Sequence, residues 1–359
     1  MALKKITIKE IAEEAGVSKA TVSRVLNHGD IVDEETKNRV HAIMKKHRYS
    51  PSLVARNLSN QVSNTIGIVI PEIDNPFYGK ILRTIVNKAD DEGMIPICFD
   101  TGNNPEKDVK SLRILRDQRV RGIIYAPSVE YGEPDAVTKA KQAMDDLGVP
   151  VVLIDRNVPE FERSGVFFDN LDAAYRCTKI LLAIGHSKIG IITGSSKIGI
   201  SRDRLSGYRI AFEENGVPVE EKYIFGGDFT AETAYSLSKK MFEMEDRPSA
   251  VLTCNNSTGL GFLQALTEKK MKTPKDIEHV GIDEIDAFDY LHMRYNHVTR
   301  SRTDMAIKAM ELLLAQIRNE DMELQSVYIP AKFVLENRLQ RVAVKNKIIA
   351  KEKRGGAQK

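Results

Sequence analysis

The stretch from Thr7 to Asn27 constrains this chain most, because it encodes two short helices and a tight turn between them. Thr7 with Glu10 three positions on forms a capping-box pattern, and Ile8, Ile11, Ala12 and Ala15 fall on one helical face. Gly16 supplies the left-handed residue that ends this helix, and Ser18 caps the next. In the second helix Val22, Val25 and Leu26 are spaced to pack back on the first, which turns Lys19, Ala20, Ser23 and Arg24 outward. The pair predicts a helix-turn-helix, whose second helix lies in the DNA major groove. Arg24 can donate twin bonds to guanine O6 and N7, Lys19 can reach the same acceptors or a phosphate, and Ala20 can touch a thymine methyl. Thr7, Ser18, Thr21, Ser23 and Asn27 suit phosphate oxygens, which fix register without carrying sequence information. A solvated helical hairpin with Lys19 and Arg24 merely exposed is the plainer alternative.

Asp33 is placed to cap a third helix from Glu34 to about His47, ending in Tyr49-Ser50-Pro51. Residues 1–60 carry 11 Lys/Arg against 7 Asp/Glu, a net of +4, and residues 341–359 carry +6. With +3 on the whole chain, residues 61–340 stand at −7. A basic head attracts phosphate by counterion release, and an acidic body is kept off the polyanion. Lysines 345, 347, 351 and 353 and the Gly-Gly end make the tail, 341–359, read as disordered solvated charge.

Val17-Ser18, Thr21-Val22-Ser23-Arg24-Val25 and Asn27, followed by the third helix and Ser52 to Asn60, resemble the opening of the lactose-repressor (LacI/GalR) family of bacterial transcription regulators. The resemblance implies a DNA-binding domain over 1–50 and a hinge over 51–61 in which Ala55, Arg56 and above all Leu58 meet the minor groove. Such a hinge is too short to be a stable helix alone, since nucleation is unfavourable below roughly a dozen residues. Two copies meeting over DNA can fold together and insert a leucine each, which unstacks a base step and bends the duplex. Each helix reads only a few base pairs, so a homodimer on a palindromic operator is expected.

From Asn64 the rhythm changes to strands alternating with helices. Strand-like runs cover Thr65–Ile70, Ile95–Phe99, Gly122–Tyr125, Val149–Asp155, Gly165–Phe168, Lys188–Thr193, Ala250–Cys254 and His279–Ile282, with amphipathic helical stretches such as Tyr78–Glu92 and Leu171–Ile184 between them. This order predicts doubly wound parallel sheets, whose ligands sit beyond the C-terminal strand ends. The residues there include Glu72, Asp74, Asn75, Phe77, Asp155, Phe168, Asp169, Asn170, Arg204, Asn255, Asn256 and Asp283. Carboxylates, amides and an arginine beside an aromatic face can satisfy sugar hydroxyls. Helix caps explain Asp74, Asn75, Asp169 and Asn170 equally well. Ile70 to Tyr78, Val152 to Arg156, Gly185 to Gly190, Arg204 to Tyr208 and Val280 to Asp283 extend the family resemblance to residue 338.

That likeness implies a body, 62–340, of the periplasmic-binding-protein type that serves for effector binding and dimerisation. Its subdomains are expected at 62–164 with 296–325 and at 165–292 with 326–340. Asp155, Phe168, Arg204, Asn255 and Asp283 then take effector-contacting positions. The chain departs from the pattern at Asn256, where an aspartate is usual, and at Arg300-Ser301-Arg302, in place of arginine-glutamine-proline. Phe77, Ile81, Leu82, Ile85, Val86 and Ala89 recur at helical spacing, which fits an ordinary core better than a dimer face.

With 359 residues and 42% hydrophobic content the chain can bury two or three cores. No run approaches the length of a membrane span, and Met1 to Lys5 lead into polar helix without a secretion core, so a cytoplasmic protein is expected. Cys98, Cys177 and Cys254 are scattered and odd in number, which suits reduced thiols. No phosphate loop, dinucleotide fingerprint or metal-ligand spacing occurs, so neither cofactor nor metal is expected. The rival readings are a sugar-metabolising α/β enzyme with a fused DNA-binding head and a transport-type solute-binding protein.

Overall fold

The computed structural model describes residues 6–27, 31–47, 49, 64–128, 134–319 and 321–349, and divides into a unit ending at Ser63 and a unit from Asn64 onward. The first unit holds α1 (Ile8–Ala15), α2 (Lys19–Asn27) and α3 (Glu34–Lys46). Ile11, Ala12 and Ala15 meet Val22 and Val25 of α2 and Val40 and Met44 of α3 in one small core. Glu14 ties α1 to the end of α3 through Lys46 and His47, each at 2.7 Å.

The second unit contains two six-stranded sheets. Sheet one runs in the order β11 (Ser326–Ile329), β5 (Gly165–Phe168), β4 (Val151–Asp155), β3 (Ile123–Tyr125), β1 (Thr65–Ile70), β2 (Ile95–Asp100), with every pair parallel. Thr65 to Ile70 is buried throughout, as a strand covered on both faces must be. On one face lie α4 (Pro76–Asp91) and α12 (Arg302–Arg318), packed on Ile66, Ile68, Ile124 and Val152. On the other lie α5 (Pro105–Asp117) and α6 (Pro134–Asp145), packed on Val69, Ile123 and Leu153. Phe77, Ile81, Ile85 and Ala89 are core residues of this layer, while Leu82 of that stripe is half-buried and Val86 exposed.

Sheet two runs β12 (Ala331–Val334), β10 (His297–Arg300), β9 (Glu278–Ile282), β8 (Ala250–Thr253), β6 (Ile189–Thr193), β7 (Ile224–Gly226), parallel except where β12 meets β10. One face carries α7 (Asn170–Ala183) and α8 (Gly199–Glu214), and the other α9 (Ala231–Phe242) and α10 (Asn256–Glu268). A short α11 (Asp286–Tyr290) follows β9. In both sheets the winding reverses beside the first strand, at β1/β3 and at β6/β8, the place where such folds leave a crevice.

The subdomain boundaries differ from the expected ones. Gly165–Phe168 and Ser326–Ile329 belong to sheet one, because β5 pairs with β4 and with β11, and His297–Arg300 belongs to sheet two through β9. The chain therefore crosses after Phe168, after Arg300 and after Ile329. All three crossings leave from the β5/β11 edge of one sheet or the β10/β12 edge of the other. The basic tail is also shorter than expected. Residues 337–345 form α13 (Asn337–Lys345), and Leu339, Ala343 and Ile348 are buried in the core of sheet two, while residues 350–359 lie outside the described residues.

Two glycines set how closely the outer helices approach. A Cβ on Gly207 of α8 would fall 2.2 Å from the Leu171 carbonyl oxygen of α7, and one on Gly261 of α10 would fall 2.1 Å from the Ala231 carbonyl oxygen of α9. The obstacle is backbone, which cannot swing aside. Gly207→Ala should therefore cost about 1–3 kcal/mol or more by overpacking, read as a lower midpoint in thermal or urea unfolding.

Candidate functional site

Local chemistry fixes the head's outer helix. Thr7 N donates to Glu10 Oε2 at 2.7 Å while Glu10 N donates to Thr7 Oγ1 at 3.3 Å, the reciprocal capping box. Gly16 ends α1 in the left-handed region at φ 65°. Thr21 N donates to Ser18 Oγ at 3.0 Å, which caps α2. With Val22 and Val25 buried below, Lys19, Ala20 and Arg24 stand exposed on the opposite side, and Ser23 is half-buried. The Ser18 and Thr21 hydroxyls lie 2.9 Å apart. One proton joins them and one is left to point outward, so the pair offers a single hydroxyl donor to a phosphate rather than two. Thr7 is engaged by its own cap. Asn27 closes α2, and Ala55, Arg56 and Leu58 lie outside the described residues.

In the second unit, polar groups from both sheets converge on a cavity of about 70 Å³ that adjoins a larger chamber of about 360 Å³. Asn75, Phe77, Asp155, Arg204, Asn255 and Asp283 line the first, and Phe168 lines the second. Asp74 does not reach either. It is exposed in the loop after β1, and its neighbour Asn75 turns inward because its side chain caps α4 by accepting from Phe77 N at 3.0 Å. Asp155 ends β4 and Asp283 directly follows β9, both in the left-handed region, at φ 63° and 74°. Such conformations cost of order 1–3 kcal/mol each and persist where the surroundings dictate them.

The dominant cation of the site, Arg300, was not among the expected effector residues. It ends β10, is 4% exposed, and its guanidinium lies 4.8 Å from the Phe77 ring centre and 4.7 Å from that of Phe168. Its Nε and Nη2 each donate to Asp283 at 2.7 Å, a bidentate pair. Burial opposes the charged Asp283 carboxylate, but Arg300, then Arg204 and Arg302, outweigh it and hold the group below its ordinary range. Phe77 and Phe168 thus serve as the walls around an arginine. Neighbouring Arg302 bridges the subdomains, donating to Asp286 Oδ1 at 2.8 Å and to the Pro76 carbonyl at 3.2 Å and bonding Glu284, which also meets Lys80 at 3.7 Å.

Arg204 is oriented by Asn170, whose Oδ1 accepts from Nε at 3.0 Å and Nη2 at 2.7 Å, and by the Cys254 carbonyl. Tyr78 donates to Asp155 Oδ2 at 2.8 Å. Asn255 caps α10, and Asn256 reaches across to Asn75 at 3.4 Å. His279 lies in the core against Thr253 with its pKa pushed down to about 3 by burial, a neutral structural imidazole. Strand-end reasoning missed Tyr78, Asn103, Ile198, Ile200, Asp228, Phe229 and Arg300 of this lining. Arg300 could have been found only by recognising Val298 in His297-Val-Thr-Arg as an inward-facing strand position.

Asp283→Asn should destabilise the second unit by about 3–5 kcal/mol, because it strands a buried guanidinium. The carboxyl's folded pKa lies below its ordinary 3.8, so its contribution is present above that value and is lost as pH falls through the depressed one. Urea unfolding should accordingly show the full gap between wild type and variant at pH 7 and a narrowing gap below about 3.8.

Residues 63–337 match the family described as periplasmic binding proteins and sugar binding domain of LacI family, and residues 7–52 match the bacterial regulatory proteins, lacI family. The chain is 32% identical over 319 residues to the HTH-type transcriptional repressor PurR of Vibrio atlanticus (strain LGP32), covering 88% of this chain and 93% of that one. Its fold is similar to that of the Lac repressor dimer bound to operator and the anti-inducer ONPF, with TM-score 0.80, 24% identity and coverage of 92% and 98%. It is also similar to that of the transcriptional regulator CelR–cellobiose complex, with TM-score 0.67, 24% identity and the same coverage. A capped reading helix in one unit and a two-sheet body with a polar cleft in the other agree with both matched regions, and the chain belongs to the LacI family of bacterial regulatory proteins.

Proposed function

We propose that this DNA-binding transcriptional regulator is a cytoplasmic repressor that grips a palindromic operator as a homodimer and answers to a sugar or sugar derivative in the cleft between its subdomains. The observation that carries the DNA part is the exposed face of α2, where Lys19, Ala20 and Arg24 stand together over a buried Val22–Val25 face. Arg24 and Lys19 read purine acceptors and Ala20 reads a thymine methyl. Thr7, Ser18, Thr21, Ser23 and Asn27 hold the backbone, and Ala55, Arg56 and Leu58 enter the minor groove at the centre of the site.

The effector part is supported by the convergence of Asn75, Asp155, Arg204, Asn255 and Asp283 at the ends of strands from both sheets, and by the sugar-binding description of the matched body. A ligand that prefers one arrangement of the subdomains shifts the population able to fold paired hinges on DNA, by no more than its differential affinity for the two states.

Arg24→Ala should lose preference for the operator while keeping salt-sensitive binding to random duplex, measured as the ratio of the two affinities; an equal loss on all sequences assigns Arg24 to the phosphates instead. Leu58→Ala should reduce DNA bending in a circular-permutation gel assay, and unchanged bending removes the wedge.

A further inference from the structure

The region matched to the family ends at residue 337, where α13 begins, and the two sides of this helix have opposite characters. Leu339, Ala343 and Ile348 are buried in the core of sheet two, and Glu336 N donates to Asn296 Oδ1 at 2.7 Å, so the helix is held firmly on the body. Arg338, Arg341 and Lys345 fall at i, i+3 and i+7 on its exposed side, a single stripe about 10 Å long that exposed Lys347 continues. Arg338 leans toward the buried Glu278 carboxylate at 3.7 Å. Arg341, Lys345 and Lys347 have no carboxylate partner among the described residues.

Local structure does not account for these charges. The helix dipole favours a cation in the last turn of α13, which explains Lys345 alone. Lys347 lies past the helix in the left-handed region at φ 56°, where glycine rather than lysine costs least. The charge also runs on along the sequence, where Lys351, Lys353, Arg354 and Lys359 follow with one acidic side chain, Glu352, among them. Residues 341–359 thus carry +6 against −7 on residues 61–340, and positive potential is gathered at one end of an acidic body.

The chemistry of the stripe selects its partner. Protein partners are held by buried aromatic or aliphatic anchors, and membrane surfaces by apolar side chains that dip beneath the headgroups. Beyond Val334 no large hydrophobic is exposed among the described residues. Cations without an anchor suit a partner bound by charge alone, and the polyanion that a DNA-binding regulator already meets is duplex DNA. We propose that α13 and the basic segment after it form a second, sequence-independent DNA contact, separate from α2, with which the protein holds a further duplex.

The full chain is loaded through its head on an immobilised duplex selected from random sequence, and a labelled, unrelated duplex is then offered in solution. Wild type should capture the second duplex at low salt and release it as salt rises. Arg341→Gln, Lys345→Gln and Lys347→Gln together, at exposed positions that leave the thermal midpoint unchanged, should weaken capture about tenfold or more at equal loading. A chain ending after Ile349, which keeps α13 and the buried Ile348, should also capture less. Capture that is absent from wild type, or undiminished in the triple variant, overturns the proposal. Poly-L-glutamate or phosphatidylglycerol vesicles held through the same three cations in place of duplex overturn the DNA assignment.

Discussion

The body of this protein is organised around one buried guanidinium. Arg300 comes from sheet two, is gripped by Asp283 of the same sheet, and is walled by Phe77 and Phe168 from the sheet-one side. Taking an ion pair out of water is expensive, and the pair is tolerable only with bidentate geometry and a ring face on either side. The aromatic contacts make the arrangement of the two subdomains part of that solvation.

Much of this was legible in the residues. Thr7, Glu10, Gly16 and Ser18 specify α1 and α2 through contacts within a few positions, which is why the head could be read with its boundaries. The runs Thr65–Ile70 and Gly165–Phe168 are apolar enough to need cover on both faces and appear as strands over those same residues. What escaped depends on distant partners. β7, β10, β11 and β12 have only three or four residues each and become strands because an edge is waiting for them. Leu339, Ala343 and Ile348 are hidden among lysines and arginines, whose charge masked an apolar stripe.

The cleft shows the same division. Strand-end logic located Asp155 and Asp283 directly, and Arg204 through its position on α8, yet it could not tell a residue that faces a ligand from one that faces another side chain. Phe168 and Asp283 serve Arg300, seventeen positions beyond Asp283 in the chain. Asp74 and Asn75 are neighbours with similar chemistry, and the cap of α4 decides between them by turning Asn75 inward.

The three crossings carry a mechanical consequence. Since all of them gather at the β5/β11 and β10/β12 edges, the two halves are bound like the pages of a book, along a spine at one side. Arg300 sits at that spine, whereas Asn103 after β2 and Phe229 after β7 sit near the fore-edge, where any rotation about the spine would have its longest travel. A small shift at the spine is thereby magnified at the lip, and it is the outer residues that gauge how large an occupant the closed book will accept.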